Sequence, residues 1–476
     1  MRSRALVFVA LVLAGCTVGP NYRRPEVPAP PDFRGRAPDE PATPASVGDI
    51  AWWELFRDET LLTLIRTALA ENYDVRIAAA RILDARERVT IARSAQVPDV
   101  SANASAPYTR TTGERAPAQF RETFAPLGTL DLAWELDLWG RFRRGTEAAR
   151  ADLLAAAEAQ RFVFTTLVSD VASAYFQLRE LDLELEISRR TLALREKSVR
   201  LVRLRFEGGV AALIDLRQAE VLLYTAAETI PDVERRVEQT ENLISLLLGR
   251  NPDAITRGRA LPETLALIPP TVPAGMPASL LERRPDIRAA ESELAAATAR
   301  IGVAKADLFP RVQLSGAIGA GGVLVNGSWF GPNGLLAFGP QISLPIFNRG
   351  RIRAGVGSAE ARAEEALARY EQTIQQAFRE VSDALVEHRK RREFREQQER
   401  LVESLRDAAR LANIRYQGGV TSYLEVLDTE RQLFDAELLL AQAQRDELLA
   451  VVRLYRALGG GWATEEERAD QSKSSS

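Results

Sequence analysis

Between Gly145 and Gly208 lie 62 residues with neither Gly nor Pro, and between Gly357 and Gly418 lie 60. Runs of this kind are written for continuous α-helix, and at 1.5 Å per residue each extends about 90 Å. No single globular core buries rods of that length, so the helices must lie along one another. Phe164, Val171, Leu178, Leu185, Leu192, Val199 and Phe206 recur every seven residues, the seam of a coiled coil. In the second run His388 takes the position matching Leu178, within Glu387-His388-Arg389-Lys390-Arg391-Arg392. A solvated helix face is the expectation there, an intramolecular or partner contact the alternative. The histidine receives no catalytic role.

Composition then removes most chemistry. Lys and Arg number 62 and Asp and Glu 65, a net charge of −3, too near neutral for a nucleic-acid binder. One Cys, one His and two Met leave nothing for disulfide staples, zinc sites or histidine acid–base work. No nucleophile elbow, P-loop or metal-ligand spacing is present, so neither catalytic nor metal residues are assigned.

The chain opens as an export signal over residues 1–15: Arg2 and Arg4, an apolar run from Ala5 to Leu13, then Ala14-Gly15 before Cys16. That run is too short to span a bilayer. Leu13-Ala14-Gly15-Cys16 resembles the lipobox of bacterial lipoproteins, which implies cleavage before Cys16 and its acylation, the one covalent lipid expected and no other cofactor. Thr17, where such proteins carry Asp for inner-membrane retention, points to the outer membrane. Residues 16–50 hold eight prolines and form an extended strap.

The rest is written twice. Arg205-Phe206-Glu207-Gly208-Gly209-Val210 recurs as Arg415-Tyr416-Gln417-Gly418-Gly419-Val420, and Gly140-Arg141-Phe142-Arg143 as Gly350-Arg351-Ile352-Arg353, both at an offset of 210. The halves are 51–248 and 278–460, joined by a Pro-rich linker over 249–277 and followed by a disordered tail over 461–476. Each half reads as a helix of about 38 residues, ending at Val97 or Phe309, then a Gly/Ser/Thr-rich stretch, the long helix, a Gly-Gly turn and a helix of about 39 residues.

Between the helices the period changes to two. From Gly128 to Leu138, Leu or Trp alternates with Thr, Asp, Ala or Glu. Trp134 and Leu136 are expected on an apolar face, Glu135 and Asp137 on a wet one. Leu132, Trp134 and Leu136 map to Ile342, Leu344 and Ile346. Two hairpins result, at about 98–139 and 310–347. Soluble caps on a helical bundle are one reading of them; the wall of a membrane barrel is the other, and its one-sided apolar stripe favours it. Four strands cannot close a barrel, so a barrel demands oligomers; two copies give eight strands and three give twelve, and a conduit favours three or more.

Gly275-Met276-Pro277-Ala278-Ser279-Leu280-Leu281-Glu282-Arg283-Arg284-Pro285-Asp286-Ile287 resembles the central signature of the TolC-like outer-membrane factor family, lipoprotein subgroup of the NodT/OprM type. Cys16 to Pro25 and Trp52 to Asp58 resemble other stretches of the same proteins. The resemblance implies a mainly α fold with membrane β: a homotrimer forming a twelve-stranded barrel on a twelve-helix periplasmic tunnel. It implies no enzymatic activity. The implied partners are outer-membrane lipid, a periplasmic adaptor and an inner-membrane pump of the RND type, the cargo drugs or other small toxic molecules. It further implies that the turns at Gly208, Gly209, Gly418 and Gly419 form the periplasmic tip. Tyr416 then matches a tyrosine whose hydroxyl reaches an acid corresponding to Asp215, and Glu425 and Asp428 match an acidic ring at the constriction. Thr421 departs from the Arg or Asp often found there, so a latch through that position is absent or rebuilt. Rival readings are a pore-free coiled-coil lipoprotein, and the same channel used for protein secretion or metal-ion efflux.

Overall fold

The computed structural model describes residues 17–36, 46–110, 122–267 and 273–461. The signal peptide, Cys16 and residues 462–476 of the expected tail lie outside the described residues. The helices are α1 (Trp52–Leu55), α2 (Glu59–Glu71), α3 (Tyr73–Ser94), α4 (Arg141–Glu207), α5 (Leu213–Leu247), α6 (Leu261–Leu265), α7 (Pro277–Arg283), α8 (Pro285–Ala306), α9 (Arg351–Gln417) and α10 (Tyr423–Ala457). The strands are β1 (Asp99–Ser105), β2 (Tyr108–Arg110), β3 (Glu122–Phe124), β4 (Leu127–Leu136), β5 (Arg311–Val325) and β6 (Ser328–Ser343). Two compact units emerge, residues 1–26, 80–157 and 289–371 in one, 27–79, 158–288 and 372–476 in the other.

The first unit carries one antiparallel sheet, β1-β4-β5-β6, with the short β2–β3 pair attached to β5 through Thr123 and Phe124. β5 and β6 meet at a two-residue turn, Asn326-Gly327, both at positive φ, as this tightest hairpin requires. The first residues of the strap, 18–21, are pinned within the same unit. Arg144, buried, donates to Val18 O (3.4 Å), Gly19 O (3.3 Å) and Asn21 Oδ1 (2.6 Å), and Val18 N–H donates to Trp139 O (3.1 Å). A Cβ on Gly19 would stand 2.4 Å from Gly302 Cα, so the strap's closeness to α8 depends on glycine.

In the second unit the core is built from α4, through Val171, Tyr175, Phe176 and Leu178, and from α10, through Leu448, Val451 and Tyr455. The heptad row is buried at Val171, Leu178 and Val199 but reaches 37 % exposure at Phe206. A helix of 3.6 residues per turn drifts about 20° per heptad off a strict seven-residue row.

Several expectations need correction. The 38-residue helices are each broken in two. Asn72 ends α2 and caps α3, its Oδ1 accepting the N–H groups of Asp74 (2.7 Å) and Val75 (3.3 Å) while its amide donates to Leu247 O (2.9 Å). In the second half Arg284 stands extended between α7 and α8, with Pro285 opening the new helix. The long helices begin earlier than the glycine count gave, at 67 residues each; Gly145, Gly355 and Gly357 lie inside them, where a Cβ would meet nothing within 4 Å. β6 ends at Ser343, so Leu344 and Ile346 fall beyond the strand. His388 is not on a solvated face. It is buried on the side of α9 that carries Val381, Ala384 and Leu385, and burial, then Arg392, hold its imidazole below the usual range. The charges around it pair inward with α10: Arg391 with Asp446 (2.9 Å), Arg395 with Glu447 (2.5 Å) and Glu387 with Arg453.

Candidate functional site

The sheet is the first functional surface, and its register makes it one-sided. Across β1, β4, β5 and β6, Ala102 faces Leu130, Leu130 faces Ile318 and Ile318 faces Leu336. The adjacent rows are Val100–Leu132–Gly316–Phe338 and Trp134–Leu314–Pro340, and Leu136 opposes Val312, which opposes Ile342. Side chains alternate across a strand, so these residues share one face. The other face carries Ser101–Asp131–Ala317 and Glu135–Gln313–Gln341. Asn103 and Thr129 both donate to Asp131 Oδ2, at 2.6 and 2.8 Å. The apolar side is open: Val100, Leu130, Ile318, Leu336, Phe338 and Ile342 are all more than half exposed. Among the described residues β1 and β6 are edge strands, each paired on one side only. No described helix is long and apolar enough to cross a membrane.

One expected member of the wet face departs from it. β4 stops at Leu136, and Asp137 instead accepts the first N–H groups of α4, Phe142 (3.2 Å) and Arg143 (2.9 Å), and the Arg143 side chain (3.3 Å). It is a helix cap, held at the positive end of the macrodipole.

The two Gly-Gly turns have the same construction. Val210 N–H donates to Arg205 O (2.8 Å) and Gly209 N–H to Phe206 O (2.9 Å); Val420 N–H donates to Arg415 O (2.9 Å) and Gly419 N–H to Tyr416 O (3.0 Å). This is the Schellman end of a helix, with Gly209 at φ +75° and Gly419 at φ +72° in the left-handed position. Gly208 and Gly418 carry no positive φ, so within each pair only the second glycine is conformationally required. Val210 and Val420 stand exposed beside the turns.

Near those turns, α4, α5, α9 and α10 share a cluster containing Val202, Leu216, Tyr416, Tyr423 and Val426. Tyr416 is buried there; its ring lies 5.0 Å from that of Tyr423, and the Arg205 guanidinium sits 4.5 Å over it. Burial, with Glu430, Tyr416 and Asp215 adding to it, raises the Tyr423 hydroxyl well above the usual phenol range. Asp215 lies in the first turn of α5, where Oδ2 accepts Ala212 N–H at 3.1 Å. Glu425 is held from two sides, by Arg415 (3.0 Å) and by the Thr421 hydroxyl. Asp428 accepts from Arg431 (3.0 Å) and Gln432 (2.6 Å). Both acids of the expected ring therefore have a guanidinium within hydrogen-bond distance.

Two motifs turn out to be joints. Asp58 caps α2 through Thr60 N–H (2.9 Å), accepts a hydrogen bond from the Tyr175 hydroxyl (3.0 Å) and accepts Arg259 N–H (3.2 Å). Arg284 grips Asp286 (2.6 and 2.9 Å), Glu380 (2.8 Å) and Ala457 O (3.0 Å), and Arg283 pairs with Asp49 (2.6 Å). In the sequence the second stretch is legible as the resemblance to the family signature, with Pro285 a helix start, and not as a joint. An Arg before Pro-Asp was the available sign, since its fork suits a carboxylate two residues on.

Residues 64–250 and again 276–460 match the model of the outer membrane efflux protein family. The toluene efflux pump outer membrane protein TtgF of Pseudomonas putida is 37 % identical over 467 residues, 96 % of each chain. The cation efflux system protein CusC of Escherichia coli is 33 % identical over 458 residues, 95 % of this chain and 97 % of its own. The solved outer-membrane channel OprN superposes with a TM-score of 0.85 at 36 % identity, over 94 % of this chain and all of that one. A one-sided apolar sheet, two 67-residue helices and a family match over both halves have one common explanation: this chain belongs to the outer membrane efflux protein family.

Proposed function

We propose that the chain is the outer-membrane exit duct of a tripartite efflux system, assembled as a homotrimer from a protein with an internal two-fold repeat. The observation that carries the reading is the β1-β4-β5-β6 sheet, apolar on one exposed face and, among the described residues, open at both edges. In lipid every strand edge must be paired, and four strands cannot close. Three copies supply twelve strands and a lumen wide enough to conduct. The long helices of the three copies continue the lumen as a twelve-helix tunnel. Cys16 carries the lipid. The turns at Gly209 and Gly419 meet a periplasmic adaptor that joins the duct to an inner-membrane pump, most simply of the RND type. The duct catalyses no reaction, and the pump supplies the energy.

The cargo is a small toxic molecule. Relatives named for toluene and for cations stand at 37 % and 33 % identity, so likeness alone does not choose between them. One His, one Cys and two Met offer little to a soft metal ion, which favours organic cargo. The test is native mass spectrometry of the detergent-purified protein together with its conductance in planar bilayers. A trimer that conducts is expected. A monomer without conductance would overturn the reading in favour of a pore-free lipoprotein.

A further inference from the structure

The second unit buries two carboxyls one helical turn apart. Glu180 and Glu184 lie on one face of α4, Glu180 fully buried and Glu184 nearly so. Glu184 is well served: Gln442 of α10 donates to Oε1 at 2.9 Å, and Arg236 of α5 to Oε2. Glu180 is not. Its Oε2 receives Gln177 (2.8 Å) and Arg445 of α10 (3.2 Å), but Arg445 also commits Nε and Nη2 to Asp446, at 2.9 and 2.7 Å. Oε1 of Glu180, buried, has no donor among the described residues. An ionised carboxylate with an unserved buried oxygen beside a second carboxylate is costly, whereas a protonated one donates and needs no such partner.

We propose that Glu180 and Glu184, neighbours on α4, share one proton, and that this proton is a pH-sensitive latch on the contact their carboxyls make with Arg236 of α5 and with Gln442 and Arg445 of α10. The remaining charges around the pair are accounted for on each element. On α5, Arg236 stands with Asp232 behind it, itself held by Arg235 (2.6 Å). On α10, Arg445 and Asp446 form one pair, and on α9 Arg391 reaches the same Asp446 (2.9 Å). On α4 itself, Asp182 is taken by Arg179 and by Arg257 of the linker, at 2.5 and 3.2 Å. Burial first, then the hydrogen bond and charge of Glu184, push the Glu180 carboxyl up to about 8, with Arg445 and Arg236 opposing.

The sign of the linkage follows. Below about pH 4 Glu180 is protonated in folded and unfolded chains alike, and the packing keeps its full strength. Between there and about pH 8 the folded chain holds a proton that the unfolded chain has released, so stability falls as pH rises. Above about pH 8 the loss is complete, and two charges face each other on adjacent turns.

The full-length protein in detergent should show a protonated-carboxyl carbonyl band in the infrared at neutral pH, lost through about pH 8 and absent in Glu180→Gln. Amide exchange in the Gln177–Arg190 stretch of α4, corrected for intrinsic base catalysis, should rise about tenfold per pH unit beyond that of Glu180→Gln until the titration ends. Glu184→Gln supplies an amide donor to Glu180 and should move the titration below neutrality, which a merely space-filling role would not do. No titrating carboxyl band, or the same pH response in the native protein and Glu180→Gln, overturns the latch. These readouts stand apart from the duct reading, which fails or survives on conductance.

Discussion

Ile318 is the position where the barrel wall can be tested most sharply. It lies at the centre of β5, seven residues from either end, in the row Ala102–Leu130–Ile318–Leu336. Leu130, Ile318 and Leu336 are 53 %, 58 % and 81 % exposed, so an Arg at 318 would overlie no packed core and would be penalised only by the medium outside. If that medium is hydrocarbon at the midplane, Ile318→Arg costs about 2–4 kcal/mol per protomer, a factor of about 30 to 1,000 in the folding equilibrium. Leu136 shares the face but ends β4, two residues from Trp134, whose indole donates to Gln96 O at 3.2 Å. At that interfacial depth Leu136→Arg should cost about 0–1 kcal/mol. Ala317→Arg is the control on the other face, directly opposite Asp131, and should cost less than about 1 kcal/mol. The assay is urea titration of folding into phosphatidylcholine vesicles, scored by heat-modifiable mobility. Equal costs at Ile318 and Ala317, or a larger cost at Leu136 than at Ile318, would refute a lipid-facing wall.

Cys16→Ala, exported through a non-lipoprotein signal, should still form membrane-inserted trimers by native mass spectrometry, because the proposed barrel would anchor itself; a soluble monomer would contradict insertion. Gly209→Val with Gly419→Val places β-branched residues in left-handed positions, at about 1–2 kcal/mol each. It should abolish export in a drug-susceptibility assay while the trimer persists; normal export would remove the tip assignment. Tyr416→Phe with Asp215→Ala should raise single-channel conductance at unchanged trimer stability if the two close the tip, and unchanged conductance places the gate elsewhere. Glu425→Gln with Asp428→Asn leaves Arg415 and Arg431 without their acids, so cation selectivity should be lost and anions favoured. Unaltered reversal potentials in a salt gradient would show that these residues do not line the path.

The strands were legible because a period of two needs only neighbours in sequence. Leu130 to Leu136 alternates, and the register then brings Val100, Ile318 and Leu336 onto the same side. The helix break at Asn72 was not, since Glu71 and Tyr73 are ordinary helical neighbours, whereas the break at Arg284 is marked in the sequence by Pro285. What stops the helix at Asn72 is Leu247 O, 175 residues away, which captures its amide; at Arg284 the stop is Pro285, and Ala457 O and Glu380 then hold the extended arginine. The charged run around His388 misled for a related reason. Six polar residues in a row look solvated, yet an Arg can lay its stem on an apolar surface while its head finds an acid on the next helix. Arg391 and Arg395 do so with Asp446 and Glu447.

At the turns, the acids could be read from the sequence but their charge could not. Three copies of Glu425 and Asp428 suggest six carboxylates around an axis, a strong cation filter if bare. Asp428 with Arg431 and Gln432 is an (i, i+3) and (i, i+4) set visible in the sequence itself. Arg415 and Glu425 are ten residues apart across a turn, and only the left-handed Gly419 folds one back onto the other. Thr421, the departure from the family's pattern, lies within that fold and donates to the same carboxylate. Each acid thus carries its own cation, both pairs at least partly exposed, where an ion pair is worth little and exchanges readily with solvent ions. A constriction lined by these pairs would have little net charge while the pairs are closed and would present carboxylates when the arginines swing away. Its selectivity would therefore depend on ionic strength more steeply than a bare acidic ring's.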